Sequence, residues 1–275
     1  MWAGPASDPD RYELLVASTP GGEGSLWKSR LAIDGVHVDV AVKVIHASNA
    51  AVGLDEWRAR WQRQAEVLKS LDHPSVVRVR DVFDGPAPHE RGAVDRSTNT
   101  LFLVMNWVEG ESLEDWTRSH PNAPLAQRLD LIAKLAAAVD YLQSGPVAGR
   151  SVLHRDIKPA NVIVGGTSVT LVDFGLVRLM HDANLTSSIG TPAYWAPEVA
   201  LGDTYTDAAD RYSFGATAYY VLTGQRPQPM DHAGMANRLA AVPGVANPSG
   251  FAAHALLILN HDPRLRPERC APWVN

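Results

Sequence analysis

Two short runs in the second half of the chain restrict its fold more than any other feature. His154-Arg155-Asp156-Ile157-Lys158-Pro159-Ala160-Asn161 is followed, twelve residues beyond Asn161, by Asp173-Phe174-Gly175. Between them stand Val162-Ile163-Val164, the pair Gly165-Gly166, and Val169-Thr170-Leu171-Val172. β-Branched runs on either side of a glycine pair predict two strands joined by a tight turn. A hairpin returns the chain to its starting end, so Asn161 and Asp173 should come to lie side by side, close to Asp156. An amide oxygen and a carboxylate are ligands for a hard cation such as Mg2+, and a further carboxylate can take a proton from a hydroxyl.

Around this hairpin the chain divides by character. Residues 1–105 are strand-rich, with strands expected at 12–16, 26–33, 36–45, 76–83 and 100–105. One helix interrupts them at 54–71, where Trp57, Trp61, Ala65 and Leu68 recur at helical spacing as packing groups. Residues 84–99, rich in Gly, Pro, His and Asp, read as a long mobile loop. From residue 111 onward the pattern is mostly helical, with helices expected at 113–119, 125–142, 209–222, 234–241 and 251–259. Leu129, Ile132, Leu135, Ala136 and Val139 form the apolar face of the second of these. The expectation is an α+β fold of two lobes in one domain spanning 1–275. A small β-rich lobe (about 1–105) is linked through a hinge at 106–110 to a larger helical lobe (about 111–275), with the ligand cleft between them.

Bulk properties exclude several function classes. A net charge of −5 without a long basic run argues against nucleic-acid binding. The single cysteine, Cys270, excludes an internal disulfide framework and reads as a small buried hydrophobe. No apolar run is long enough to span a bilayer and no secretory signal opens the chain, so this segment reads as cytoplasmic and without membrane contact. A longer parent carrying a membrane anchor is compatible with that reading. Oligomeric state is not legible in the sequence.

The motifs, in their order along the chain, resemble those of the eukaryotic-type (Hanks-type) Ser/Thr protein kinase domains, and the composition suggests a bacterial member. The resemblance covers nearly the whole chain. It implies a protein-kinase-like bilobal fold, ATP and Mg2+ as cofactors with Mn2+ as an alternative ion, and protein substrates with Ser or Thr acceptors. Val40-Ala41-Val42-Lys43 resembles the strand whose lysine holds the nucleotide phosphates, with Ala41 beside the base. Met105 stands at the gatekeeper position, and Asn106, Trp107 and Val108 at the hinge. Residues 19–26 occupy the place of the glycine-rich loop: Gly21 and Gly24 match its second and third glycines, Thr19 replaces the first, and Leu26 follows. Asp156 resembles the residue that orients the acceptor hydroxyl, Lys158 the lysine aimed at the γ-phosphate, and Asn161 and Asp173 the metal ligands. Thr186, Ser187 and Ser188 lie where an activation loop carries phosphosites, and Arg155 marks the class whose loop is ordered by phosphorylation. Thr191 resembles the threonine that bridges Asp156 and Lys158. Glu198 and Arg266 resemble a structural ion pair, Asp210 the aspartate that braces the catalytic loop, and His154 a packed anchor.

One departure bears on activity. The family pairs its strand lysine with a glutamate about nine residues before a His-Pro pair, here His73-Pro74, and that count lands on Gln64. Glu66 lies about 200° further around the helix. A neutral amide holds a lysine less firmly than a carboxylate does. Two readings therefore stand: a protein kinase with a weakened small lobe, and a pseudokinase, a nucleotide-binding scaffold with little or no catalysis. Whether Gln64 or Glu66 faces Lys43 is left open by the sequence.

Overall fold

The computed structural model describes residues 1–18, 24–33, 35–45, 54–174, 192–202 and 204–274, with backbone only at 54–58, 60, 64 and 192. Two compact units emerge. Among the described residues, one comprises 1–72 and 77–107, the other 73–76 and 108 onward. Among the described residues no helix is long and apolar enough to cross a membrane.

The small lobe is built on an antiparallel sheet of β1 (Trp2–Ala3), β2 (Tyr12–Ala17), β3 (Gly24–Ile33), β4 (Val36–Ile45), β5 (Val79–Gly85) and β6 (Thr100–Asn106). Their spatial order is β1-β2-β3-β4-β6-β5. The central strand β4 is exposed where it begins and buried on both faces from Val40 to its end, which is why it reads as a continuous Val-Ala-Val run. Val40, Val42 and Val44 point into a core shared with Tyr12, Leu14, Phe102 and Val104. Tyr12 stacks on Phe83 (5.7 Å between ring centroids) and Phe83 on Phe102 (4.9 Å). Helix α1 (Leu54–Lys69) packs against β5, with Trp61, Ala65 and Leu68 buried at the expected spacing.

Two expectations for this lobe need correction. The strand read as starting at residue 76 starts at Val79, because 73–76 pairs elsewhere. Val76 bridges to Leu171, and the Leu171 N–H donates to Ser75 O at 2.9 Å, which ties the exit of α1 into the large unit. The second concerns 84–99, which is pinned at its middle rather than mobile. β1 pairs with β2 on one side and bridges to His89 on the other, through Trp2 N–H to His89 O (2.7 Å) and His89 N–H to Trp2 O (3.1 Å). The buried His89 ring contacts Ala87 O and Asp10 Oδ1, and Asp10 also accepts from the Gly92 N–H at 3.1 Å. A Cβ at Gly85 would lie 2.2 Å from Gly4 O, so the N-terminal strap formed by residues 1–10 closes only over a glycine.

The large lobe opens with β7 (Glu111–Ser112) and α2 (Leu113–Ser119), whose first turn is capped by the Ser112 side chain accepting from Asp115 N–H at 3.0 Å. Helix α3 (Leu125–Gln143) and the nearly all-buried α5 (Asp207–Thr223) form its spine. The hairpin β8 (Val162–Gly165) and β9 (Ser168–Leu171) lies against α3 and adds β7 as a third strand. Short α4 (Pro197–Ala200), then α6 (His232–Ala240), α7 (Pro248–Leu257) and α8 (Ala271–Val274) complete the lobe. Asp140 on α3 accepts from the N–H groups of Cys270 (2.7 Å) and Ala271 (3.0 Å), anchoring the start of α8. Cys270 is fully buried there, and burial raises its thiol well above the ordinary range.

Candidate active site

On the large lobe the hairpin does what its sequence requires. Val162 pairs with Leu171, and the Val172 N–H donates to Asn161 O at 2.9 Å, so Asn161 and the residue before Asp173 are neighbours. A 3-10 turn at Pro159–Asn161 then brings the Asn161 side chain back over Asp156. Asn161 Nδ2 donates to Asp156 Oδ2 at 2.8 Å and to Asp156 O at 2.9 Å. Lys158 Nζ reaches the same Oδ2 at 2.8 Å. Four of the residues singled out from sequence thus gather at one end of one hairpin: Asp156, Lys158, Asn161 and Asp173. Asp173 sits at φ 59°, a left-handed backbone that a non-glycine residue adopts only at a cost, and such strain gathers at functional sites.

The loop carrying Asp156 is braced from below. Arg155 is also left-handed (φ 67°). The buried Asp210 carboxylate at the start of α5 accepts from the N–H groups of His154 (2.7 Å) and Arg155 (3.0 Å) and from the Tyr205 hydroxyl (2.7 Å). Burial pushes Asp210 up to about 6 in spite of these donors and the nearby Arg155 charge. Arg155 lies over the Tyr205 ring at 5.5 Å, and its own burial lowers its pKa from the ordinary arginine value. His154 packs at a tilt against Phe174 (4.6 Å between ring centroids) and reaches Val172 O at 3.2 Å, an anchor by geometry. Below, Arg266 grips Glu198 with two parallel bonds of 2.6 and 2.7 Å and also donates to Ala208 O and Asn260 O. Burial, reinforced by Glu198 and opposed by Arg266, pushes the adjacent Tyr212 up to about 12. Tyr205 was not singled out from sequence. A lone tyrosine five residues ahead of an aspartate gives no signal that its hydroxyl will meet that carboxylate.

On the small lobe, Lys43 is 6% exposed on β4, between Leu26 of β3 and Leu103 of β6. A lysine so buried on a central strand signals a purpose for its charge. Ala41 pairs with Met105, both buried. Gly24 begins β3 at φ 144°, and a Cβ there would lie 2.1 Å from Val44 O, so only glycine fits. Val108 is the first residue of the large unit after Trp107. Glu66 turns to solvent, with a side chain 71% exposed and Lys69 as its partner at 3.3 Å. Thr19, Gly21, Thr186, Ser187, Ser188 and Thr191 and the side chain of Gln64 lie outside the described residues.

The donor set fits the expected cofactors. Asn161 spends its amide N–H2 on Asp156, which leaves its carbonyl oxygen for a cation beside Asp173. Among the described residues no cluster of three or more His, Cys, Asp or Glu forms a metal cage. Mg2+ needs none, since it keeps waters and takes phosphate oxygens beside one or two protein ligands.

Comparison with known proteins identifies the family. Residues 21–245 match the family model described as the protein kinase domain. Serine/threonine-protein kinase PknB of Mycobacterium leprae is 33% identical over 225 residues, covering 79% of this chain and 33% of the relative. PknJ of Mycobacterium tuberculosis is 36% identical over 225 residues, with coverage of 79% and 34%. The chain therefore spans about one third of the length of these relatives. The crystal structure of the M. tuberculosis PknI kinase domain superposes with a TM-score of 0.65 over 96% of this chain and 93% of that one, at 24% identity, and shares the bilobal fold. Protein kinases in general use ATP and a divalent metal ion. The chain belongs to the protein kinase domain family, with mycobacterial Ser/Thr protein kinases among its relatives.

Proposed function

We propose that the chain transfers the γ-phosphoryl group of ATP to serine and threonine hydroxyls of proteins. The observation that carries this reading is the fixed carboxylate of Asp156, held at one oxygen by Lys158 and Asn161, both at 2.8 Å. A carboxylate clamped in this way can orient an acceptor hydroxyl and take its proton. Asn161 and Asp173 would hold Mg2+, with Mn2+ as an alternative, and Lys43 and Lys158 would offset phosphate charge. Gly21, Gly24, Leu26, Ala41, Met105 and Val108 are the proposed nucleotide-binding residues. Bound Mg2+ and ATP supply the phosphoryl group and neutralise its oxygens. Thr186, Ser187 and Ser188 are the proposed autophosphorylation sites, and Thr191 the proposed bridge between Asp156 and Lys158.

The test is radiolabel transfer from ATP to the chain itself and to a generic basic protein, with Mg2+ and with chelator. Asp156→Asn is expected to cut transfer by about 100-fold or more while nucleotide binding persists. Unchanged transfer removes Asp156 from the mechanism.

The second reading, a nucleotide-binding scaffold, is favoured by one observation: Glu66 turns to solvent, where its partner is Lys69. Nucleotide binding by the wild-type chain without label transfer would establish it. A rate gain in Gln64→Glu would identify position 64 as the pairing site.

A further inference from the structure

Of the ten histidines, two that the proposed chemistry does not use face each other on the large lobe. His232 is the first residue of α6, just after Asp231, whose carboxylate caps the helix by accepting from Gly234 N–H. His261 lies between α7 and the 3-10 turn Pro263–Leu265. Both are exposed. Their Nε2 atoms stand 3.2 Å apart, with ring centroids 4.9 Å apart and planes inclined by 56°. His261 Nε2 also lies 3.3 Å from Pro229 O.

Those two distances suit a hydrogen bond between the rings and also a shared ligand. A linear N–H···N bond at this separation would set the centroids about 5.5 Å apart, and a bent one brings them closer. The observed 4.9 Å is shorter, so the two ring axes are not collinear. An ion about 2.05 Å from each nitrogen, with an N–metal–N angle near 100°, sets the nitrogens about 3.1 Å apart and the centroids about 4.9 Å apart. Both observed distances therefore agree with one ion in front of both rings.

We propose that His232 and His261 form a two-imidazole site for a divalent transition-metal ion of the Zn2+ and Ni2+ class. Imidazole nitrogen suits such ions and not Mg2+, so the site is chemically separate from the oxygen ligands at Asn161 and Asp173. No third His, Cys, Asp or Glu completes a cluster among the described residues, so water fills the remaining positions. The ion clips the first turn of α6 to residues 260–261. Those residues accept from Arg266, through Asn260 O at 2.8 Å and His261 O at 3.4 Å, while Arg266 grips Glu198. Occupancy would stiffen the frame beneath Glu198 and raise thermal stability by mass action.

The experiment is calorimetric titration of the full chain with Ni2+ and with Zn2+, in the absence of nucleotide, alongside thermal melts. His232→Gln and His261→Gln keep a polar side chain of similar reach but remove the imidazole ligand. One equivalent should bind to wild type and raise its Tm. Each variant should weaken binding at least tenfold and lose the Tm rise, with its metal-free Tm unchanged, and Mg2+ at the same concentration should do neither. Co2+ should broaden the ring-proton resonances of two histidines first, a readout that needs no variant. The proposal is overturned by equal affinity in wild type and both variants, by broadening that spares this pair, or by no binding up to millimolar ion.

Discussion

At Asp210, burial and hydrogen bonding pull one carboxyl in opposite directions. Three donors within 3.0 Å favour its charge, yet desolvation prevails and the group titrates near 6. Because this folded pKa lies above the unfolded value of 3.8, the folded state binds the proton more tightly. The stabilisation by protonation is fully present below about pH 4 and is lost as pH rises through 6. Measured against Asp210→Asn, which cannot titrate, wild type should therefore gain stability between pH 7 and pH 4, on the order of 3 kcal/mol. Urea melts of both proteins across that range check it, and parallel pH profiles would sink it. Asp210 was legible as a brace because the resemblance marks its position. The opposing pulls on it were not, since they depend on Tyr205 and on the folded-back N–H groups of His154 and Arg155.

Among the elements, the hairpin β8–β9 was readable to within a residue because every signal for it is local: β-branched runs, a glycine turn and a period of two. Helix α3 shows where such reading stops. Its apolar stripe named Ile132, Leu135, Ala136 and Val139, all buried, but also Leu129, which is only half-buried. Its neighbour Arg128 is 7% exposed instead. Arg128 donates to Val221 O (3.0 Å) and Leu222 O (2.8 Å) at the end of α5, and to Pro121 O (2.6 Å) and Ala123 O (3.1 Å). A cation at a helix C-terminus meets the orphan carbonyls and the negative end of the dipole. Hydropathy cannot foresee this, because the carbonyls that justify the buried charge lie 93 and 94 residues away. Arg128→Ala should cost about 3 kcal/mol in urea unfolding, and Arg128→Lys should recover less than half, since one ammonium cannot serve four carbonyls. A loss below about 0.5 kcal/mol would show that these bonds are no better than bonds to water.

For the molecule as a whole, the order of the sheet raises a question about its edges. β1 and β5 are the outermost strands, and unpaired edges invite association with other chains. Here the edges meet: Trp2 pairs with both β2 and His89, while Arg11 and Tyr12 reach Asp81 of β5 at 3.2 and 3.1 Å. The kinase match begins at residue 21, so the strap lies outside what family resemblance describes. Its strand is two residues long, too short for any periodicity to show. Its clasp joins Asp10 to His89, 79 residues on. That is why residues 84–99 read as mobile. Removing residues 1–10 should abolish amide protection at His89, whose N–H bonds to Trp2 O, at Gly92, which bonds to Asp10, and at Leu14, which bonds to Met1 O. Hydrogen exchange at these amides should quicken by about tenfold or more, as expected when a cooperative unit loses its closing contacts. Asp10→Ala should release Gly92 and the His89 ring but leave Leu14 protected, because β1 still pairs with β2. If His89 and Gly92 exchange at wild-type rates in the truncated chain, the loop is held by its own turns, and the strap closes nothing.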